Sequence, residues 1–182
     1  MIEKFEAPKR DPINQQILIY SENIEIIRMQ RDMLKSFGVR NIIAANNPDE
    51  LMEFASVRSL GTILVNGNSR VDPRKIIGAL RNQDKVQDPY SQVFFVTGSS
   101  SAQLVKLIIM AGYDGILCLP FSRARLWKTI ERMSITQRTF VRVGEYFGPD
   151  RRQGILPSQP KTEERRKEEL LKKVSVEPKR VS

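Results

Sequence analysis

The strongest constraint on the fold is an alternation between apolar runs and segments with helical periodicity. Five apolar runs are separated by segments in which apolar residues recur every three or four positions. The runs cover residues 16–20, 41–45, 62–65, 92–98 and 115–120. Because parallel strands need crossover helices, the alternation predicts a parallel sheet covered on both faces. Five such units over about 125 residues predict an α/β fold, a flavodoxin-like doubly wound five-stranded parallel sheet in the order 2-1-3-4-5.

Capping residues mark where the intervening helices begin and end. Asn47 precedes Pro48, and Asp72 precedes Pro73, which is the arrangement of an N-cap followed by a proline in the first turn. Gly112 follows a helical segment at the position of a C-cap. These signals place helices after the second, third and fourth strands.

The dipeptide Asn66–Gly67 directly follows the third apolar run. Between two strands, Asn-Gly would predict a hairpin. The segment that follows carries the Asp72 N-cap and has helical spacing, so we predict a βα loop instead. In doubly wound folds, ligands bind at such loops, beyond the carboxyl ends of the strands.

Composition excludes several classes of function. The longest apolar stretches fall well short of the roughly 18 residues that span a membrane, and residues 1–10 lack the apolar core of a secretory signal. The chain has no histidine, which removes the usual general base and the usual zinc ligand. Its one cysteine, Cys118, is predicted to be a buried apolar residue in a reducing compartment, the cytoplasm. We expect no enzyme activity, no metal and no cofactor.

Three stretches resemble bacterial response-regulator receiver domains of the CheY-like family. They are TILVNGN at 62–68, VFFVTG at 93–98 and AGYDGILCLPFS at 111–122. The last is similar to the family pattern Ala-Gly-Ala-x-Gly followed by Lys-Pro-Phe. The resemblance covers about residues 15–137, and EYFGPDRR at 145–152 resembles a tail found in a subgroup of single-domain receivers.

The resemblance implies a site for phosphoryl transfer whose chemistry is mostly lost here. In the family, an aspartate after the third strand accepts the phosphoryl group and two acidic residues after the first strand hold Mg²⁺. A hydroxyl after the fourth strand and a lysine after the fifth bind phosphoryl oxygens. The matching positions here are Asn66, the pair Ser21 and Glu22, then Thr97 and Leu119, with Ile116 in place of a switching aromatic.

The substitutions predict a degenerate, "pseudo-receiver" form. An amide is not a carboxylate nucleophile, so Asn66 cannot form an acyl phosphate. Mg²⁺ normally requires carboxylates, and Glu22 alone remains. We therefore predict a phosphorylation-independent signalling or adaptor protein of two-component type that acts by protein contact; the alternative is a conventional receiver with an atypical site.

Individual residues keep alternative interpretations. Asn66 is either a loop residue that caps nearby backbone or a neutral mimic that locks one conformation, and deamidation next to Gly67 would convert it to aspartate. Thr97 either bonds nearby backbone or retains a switch role. Glu22 is a candidate weak cation ligand, and Trp127 is either packed core or a ligand contact.

The fourth helix is apolar nearly all round, so one face is left over after it covers the sheet. Val105, Ile109 and Tyr113 are predicted to lie in an interface. Receivers commonly use the surface of helix 4, strand 5 and helix 5 for partners, so the resemblance implies a protein partner or a homodimer there.

The two ends of the chain lie outside the receiver-like segment. We predict a loose N-terminal extension over residues 1–14 and a basic C-terminal extension over 138–182 that is partly helical or disordered. Arg151 and Arg152 either contact an acidic partner or are solvated. The net charge is +9, so a nucleic-acid-binding or scaffold role for the tail is a second alternative. Glutamates dilute its basic residues, which disfavours this alternative.

Overall fold

The computed structural model describes residues 2–67 and 72–151 of the 182-residue chain. Over these residues it contains eight strands and five helices. In chain order they are β1 (Glu3–Ala7), β2 (Ile17–Tyr20), α1 (Ile24–Lys35), β3 (Ile42–Ala45), α2 (Pro48–Val57), β4 (Thr62–Asn66), α3 (Pro73–Leu80), β5 (Gln92–Thr97), α4 (Ala102–Ala111), β6 (Gly115–Cys118), α5 (Arg123–Ile135), β7 (Arg138–Val143) and β8 (Tyr146–Pro149).

Five parallel strands form a central sheet in the order β3-β2-β4-β5-β6. This order corresponds to the predicted 2-1-3-4-5, because β1 precedes the first strand of the central sheet. Along β2, Leu18 and Tyr20 pack on the face covered by α2, α3 and α4, whereas Ile17 and Ile19 pack on the face covered by α1 and α5. The continuous apolar runs therefore reflect burial of both faces of the sheet, and the predicted fold class is confirmed.

The predicted caps set the starts and ends of the helices. The Asn47 side chain accepts a hydrogen bond from the Glu50 N–H at 2.9 Å, and the Asp72 side chain accepts one from the Arg74 N–H at 2.9 Å. Gly112 ends α4 at φ +110°, a conformation that favours glycine. Two of these caps fix where a helix begins after a strand, and the third fixes where α4 ends before β6.

The Asn66–Gly67 dipeptide lies in a βα loop, as predicted. β4 ends at Asn66, and the next described element is α3. A Cβ atom on Gly67 would lie 2.0 Å from the Phe95 ring, and that ring is held edge-on against Tyr113 with centroids 5.3 Å apart. A glycine therefore follows Asn66 because a buried aromatic ring packs directly against the backbone.

A second sheet corrects the predictions for residues 3–7 and 138–149; the rest of the predicted C-terminal extension, 152–182, lies outside the described residues. β1, β7 and β8 pair antiparallel in the order β1-β7-β8, so residues 3–7 are a strand rather than part of a loose lead-in. Residues 138–149 likewise form a hairpin, not a helical or disordered extension. Residues 1–150 form one compact unit. A strand with one buried face is recognised by apolar residues at every second position. In β7 this pattern is broken, because its buried positions include Arg138 as well as Phe140.

A buried ionic cluster joins the second sheet to the amino end of the central sheet. The Asp114 carboxylate, just before β6, contacts Arg81 Nη2 at 2.8 Å and Arg138 Nη1 at 2.5 Å, and accepts a hydrogen bond from the Val93 N–H at 2.7 Å. The two guanidinium groups lie 5.0 and 5.3 Å from the centroid of the Phe140 ring. We call Asp114, Arg81 and Arg138 the Asp114 cluster.

The charges of this cluster decide the protonation of its carboxylate. Burial alone would raise the pKa of Asp114, but the charges of Arg138 and Arg81 outweigh burial and hold the pKa below its usual value. Burial in turn lowers the pKa of the Arg81 guanidinium. The ionised carboxylate is therefore what keeps two arginines compatible with the interior.

Within residues 2–67 and 72–151, none of the helices combines the length and apolar character needed to cross a membrane.

Candidate functional site

The carboxyl edge of the central sheet brings together four of the predicted site residues. Ser21 and Glu22 follow β2, Asn66 ends β4 and Thr97 ends β5. Tyr20 lies beside Val65, and Asn66 beside Val96, so these strand ends are level with one another. Ser21, Asn66 and Thr97 are 3, 6 and 7% exposed, whereas Glu22 is exposed to solvent. We call these four residues the strand-end site.

The Asn66 side chain is fixed by three hydrogen bonds. Its Nδ2 donates to the Tyr20 carbonyl at 2.9 Å and to Gln30 Oε1 at 3.1 Å, and its Oδ1 accepts from Gln30 Nε2 at 2.7 Å. The two amides thus form a reciprocal pair between β4 and α1. Among the described residues, Asn66 therefore joins its strand to a neighbouring strand and helix.

Gln30 is the residue at the strand-end site that the sequence interpretation missed. It is completely buried on the face of α1 that also carries Ile27 and Leu34. A buried glutamine on an apolar helix face needs a polar partner, since an unpaired amide in the interior is costly. The available signal was therefore a single polar residue in a buried stripe, but nothing in its spacing identified Asn66 as the partner.

The two hydroxyl groups of the site bond to local backbone. Ser21 Oγ accepts from the Asn23 N–H at 3.1 Å, and Thr97 Oγ1 accepts from the Ser99 N–H at 3.1 Å. Each hydroxyl thereby stabilises the turn that follows its strand. For Thr97 this is the backbone-bonding alternative considered above.

Leu119 and Ile116 stand at the positions where the family has a lysine and an aromatic residue. They make the β6 side of the site apolar. The Leu119 N–H donates to the Thr97 carbonyl at 2.8 Å, and its side chain packs against the core on the α1 and α5 face. Ile116 packs against the core on the opposite face. Cys118 is partly exposed on this edge strand, so the prediction that it is buried is wrong.

The predicted interface residues divide into two groups. Tyr113 is fully buried and its hydroxyl donates to the Pro73 carbonyl at 2.8 Å, so its assignment to an interface is wrong. Burial also raises the pKa of this phenol. Val105 and Ile109 are partly exposed on α4, beside Met110, which is 67% exposed. An interface there stays a prediction.

Two remaining candidates lie away from the strand-end site. Trp127 is stacked on Phe37, with ring centroids 5.2 Å apart and an interplanar angle of 6°, so it is packed against α1's end. Arg151 is partly buried at the end of the described residues, and Arg152 lies outside them.

Neither a family model nor a curated protein sequence matches the chain. Solved structures do match it. CheY4 of Vibrio cholerae is 22% identical over 65% of this chain and 98% of its own, with a TM-score of 0.58. The receiver domain of the sensor histidine kinase PA1611 from Pseudomonas aeruginosa is 21% identical over 65% and 96%, with a TM-score of 0.57. A CheY-like receiver domain protein from Methanospirillum hungatei is 17% identical over 66% and 94%, with a TM-score of 0.58.

The chain has a CheY-like receiver fold. The structure of the Pseudomonas receiver domain has a magnesium ion coordinated in its active-site cleft. The donors present here do not fit that ion. Glu22 supplies the one carboxylate of the site, and the Asn66 carbonyl oxygen already accepts from Gln30. Among the described residues, no three acidic, cysteine or histidine side chains are grouped in a way that could hold a metal.

The amide pair gives the receiver fold a measurable local stability. Replacing Gln30 with leucine leaves the Asn66 Oδ1 buried without its partner, so we expect the free energy of unfolding to fall by about 1–3 kcal/mol. Urea denaturation of the full chain measures the change. The control is Gln103→Leu on the exposed side of α4, which we expect to change stability little. Equal effects of the two variants would show that the pair contributes nothing.

Proposed function

We propose that this protein is a cytoplasmic signalling or adaptor protein of two-component type that works by protein contact and without phosphorylation. One observation carries the proposal. At the position where a receiver needs a phosphoryl acceptor, the chain has a buried amide that is engaged on both its oxygen and its nitrogen. The similarity to receiver structures supports the signalling class through the fold.

The chemistry around the amide supports loss of phosphoryl transfer. A carboxylate attacks phosphorus through a lone pair that an amide delocalises into its C–N bond, so Asn66 is not a usable nucleophile. An attached phosphoryl group would also need positive charge nearby, and Leu119 supplies none at the lysine position. The strand-end site is therefore better suited to holding one conformation than to cycling between two.

The surface of α4, β6 and α5 is the proposed contact region. Met110 is 67% exposed, and Val105 and Ile109 are partly exposed on the same helix. Large contiguous apolar patches on a surface mark protein contacts. The occupant is a protein partner or a second copy of the chain.

The alternative of nucleic-acid binding depends on the basic segment at 152–182, which lies outside the described residues. No geometry described here favours it over protein contact. Nuclease treatment would release a partner held through nucleic acid but not one held by protein contact.

Affinity capture with the full-length protein tests the proposal. We expect the same protein partner to be recovered with and without acetyl phosphate and Mg²⁺, and after nuclease treatment. Met110→Asp should abolish recovery, because it places a charge in the apolar contact. The control is Val57→Asp on α2, whose side chain is 66% exposed, almost the same as Met110.

Three results would contradict the proposal: a partner recovered only with the phosphodonor, a partner lost after nuclease treatment, or equal recovery by Met110→Asp and wild type. Circular dichroism of both variants shows whether each has folded.

A further inference from the structure

A pocket that the strand-end site does not use lies between the ends of α3 and α4 and the β7–β8 hairpin. Its volume is about 450 Å³, within the range of small-molecule sites. Arg81 and Asp84 line it from the end of α3, and Arg142, Glu145 and Phe147 line it from the hairpin. We call it the hairpin pocket. It exists because the second sheet docks against the helices, so it is not a feature of the five βα units alone.

The pocket has a cationic side with an unused donor. The Arg81 side chain is 3% exposed, and its two Nη atoms donate to Pro89, Ser91 and Gly112 carbonyls and to Asp114. Its Nε is buried and, within the described part of the chain, donates to no acceptor. An unpaired buried N–H is costly, so an acceptor from a ligand would relieve a cost already present.

Arg142 adds a second guanidinium. It lies 5.6 Å from the Phe5 ring centroid and 5.7 Å from that of Phe147, which orients its planar group. It also donates to the Gln83 side chain. Its Nη1 lies 3.8 Å from the Glu3 carboxylate in an exposed ion pair, and its side chain is 43% exposed, so a ligand carboxylate would compete with Glu3 for it.

The pocket also has an anionic side. Asp84 and Glu145 are exposed carboxylates in its lining. Among the residues described, neither is paired with an arginine or lysine. Both α3 and α4 end at this pocket, and the carboxyl end of a helix carries partial negative charge. A simple anion would therefore meet repulsion from these groups, and a simple cation would meet repulsion from Arg142.

We propose that the hairpin pocket binds a small zwitterion of the free α-amino acid class. The ligand carboxylate pairs with Arg142 and accepts from the Arg81 Nε–H, and its ammonium group pairs with Glu145 and Asp84. Opposite charges on the ligand then meet opposite charges on the protein, and Phe147 in the lining offers an apolar contact to the ligand side chain. This site is remote from Asn66 and is independent of the proposed function of the strand-end site.

The probes are the twenty free L-amino acids, tested at millimolar concentration against the full chain by thermal shift and then by calorimetry. We expect at least one to bind, and its N-acetylated and carboxamide forms to bind at least about tenfold more weakly. Arg142→Met retains the apolar stem over the aromatic rings, and Glu145→Gln retains shape; each should weaken binding at least about tenfold.

The matched controls are Arg132→Met and Glu131→Gln on the exposed side of α5, which should bind as wild type does. The unliganded melting temperature of every variant shows that it is folded. The proposal is overturned if none of the twenty binds, if blocking either end of the ligand has no effect, or if the α5 controls weaken binding as much as the pocket variants.

Discussion

Replacing Asp114 with asparagine is expected to lower the free energy of unfolding by about 3–5 kcal/mol. The change preserves shape but leaves the guanidinium groups of Arg81 and Arg138 buried without their shared counter-charge. Side-chain exposures of 3, 4 and 1% for Arg81, Arg138 and Asp114 show that water cannot replace the carboxylate. Urea denaturation of the full chain measures the loss.

The control for this variant is Glu25→Gln, which removes the exposed ion pair with Arg28 on α1. Exposed pairs contribute little, so the control should unfold at nearly the wild-type urea concentration. Similar midpoints for wild type and Asp114→Asn would contradict the assigned role of the cluster.

The difference in unfolding free energy between wild type and Asp114→Asn also depends on pH. Because the folded protein holds the pKa of Asp114 below its unfolded value of about 3.9, the ionised carboxylate stabilises the fold above that pH. This contribution is lost as the pH falls below about 4 towards the folded pKa. The stability difference between wild type and Asp114→Asn should therefore be full at neutral pH and shrink in acid. A difference that grows in acid would show that the carboxylate is not the stabilising species.

Replacing Phe140 with alanine is the second large effect, with an expected loss of about 3–5 kcal/mol. The ring is fully buried, packs within 5.5 Å of the Tyr90 and Phe147 rings, and is flanked by the guanidinium groups of Arg81 and Arg138. Its removal leaves a cavity and takes away the aromatic face on which two buried cations lie.

Phe140→Leu separates these two contributions, since leucine fills much of the cavity but has no aromatic face. We expect it to be less destabilising than Phe140→Ala, yet less stable than wild type, in the same urea experiment. The assignment fails if Phe140→Ala unfolds at the wild-type midpoint.

The central sheet could be predicted from the sequence because its signals are local. Asn47 and Asp72 cap helices through residues two or three positions away, and apolar runs identify buried strands without knowledge of their neighbours. Asn66 could be placed at the end of β4 for the same reason. That Asn66 presents an amide and not a nucleophilic carboxylate follows directly from its residue type.

The second sheet and the amide pair could not be predicted because their partners are distant in the chain. Asp114 pairs with arginines 33 and 24 residues away, and Gln30 with an asparagine 36 residues away. When its pairing with Asp114 is not known, Arg138 predicts an exposed position, so β7 is not recognised as a strand with a buried face. The prediction for Tyr113 is wrong because the apolar α4 before it suggested an outer face, whereas its hydroxyl donates to the Pro73 carbonyl in the interior.

The central claim is that the receiver fold of this protein does not accept a phosphoryl group. The most direct measurement is intact-mass spectrometry of the full chain after incubation with acetyl phosphate and Mg²⁺, beside a conventional response regulator that proves the phosphodonor active. Trp127 fluorescence is a less direct readout, because that ring is stacked on Phe37. We predict a wild-type mass without a phosphoryl adduct. A stoichiometric adduct under conditions that phosphorylate the conventional regulator would contradict the account.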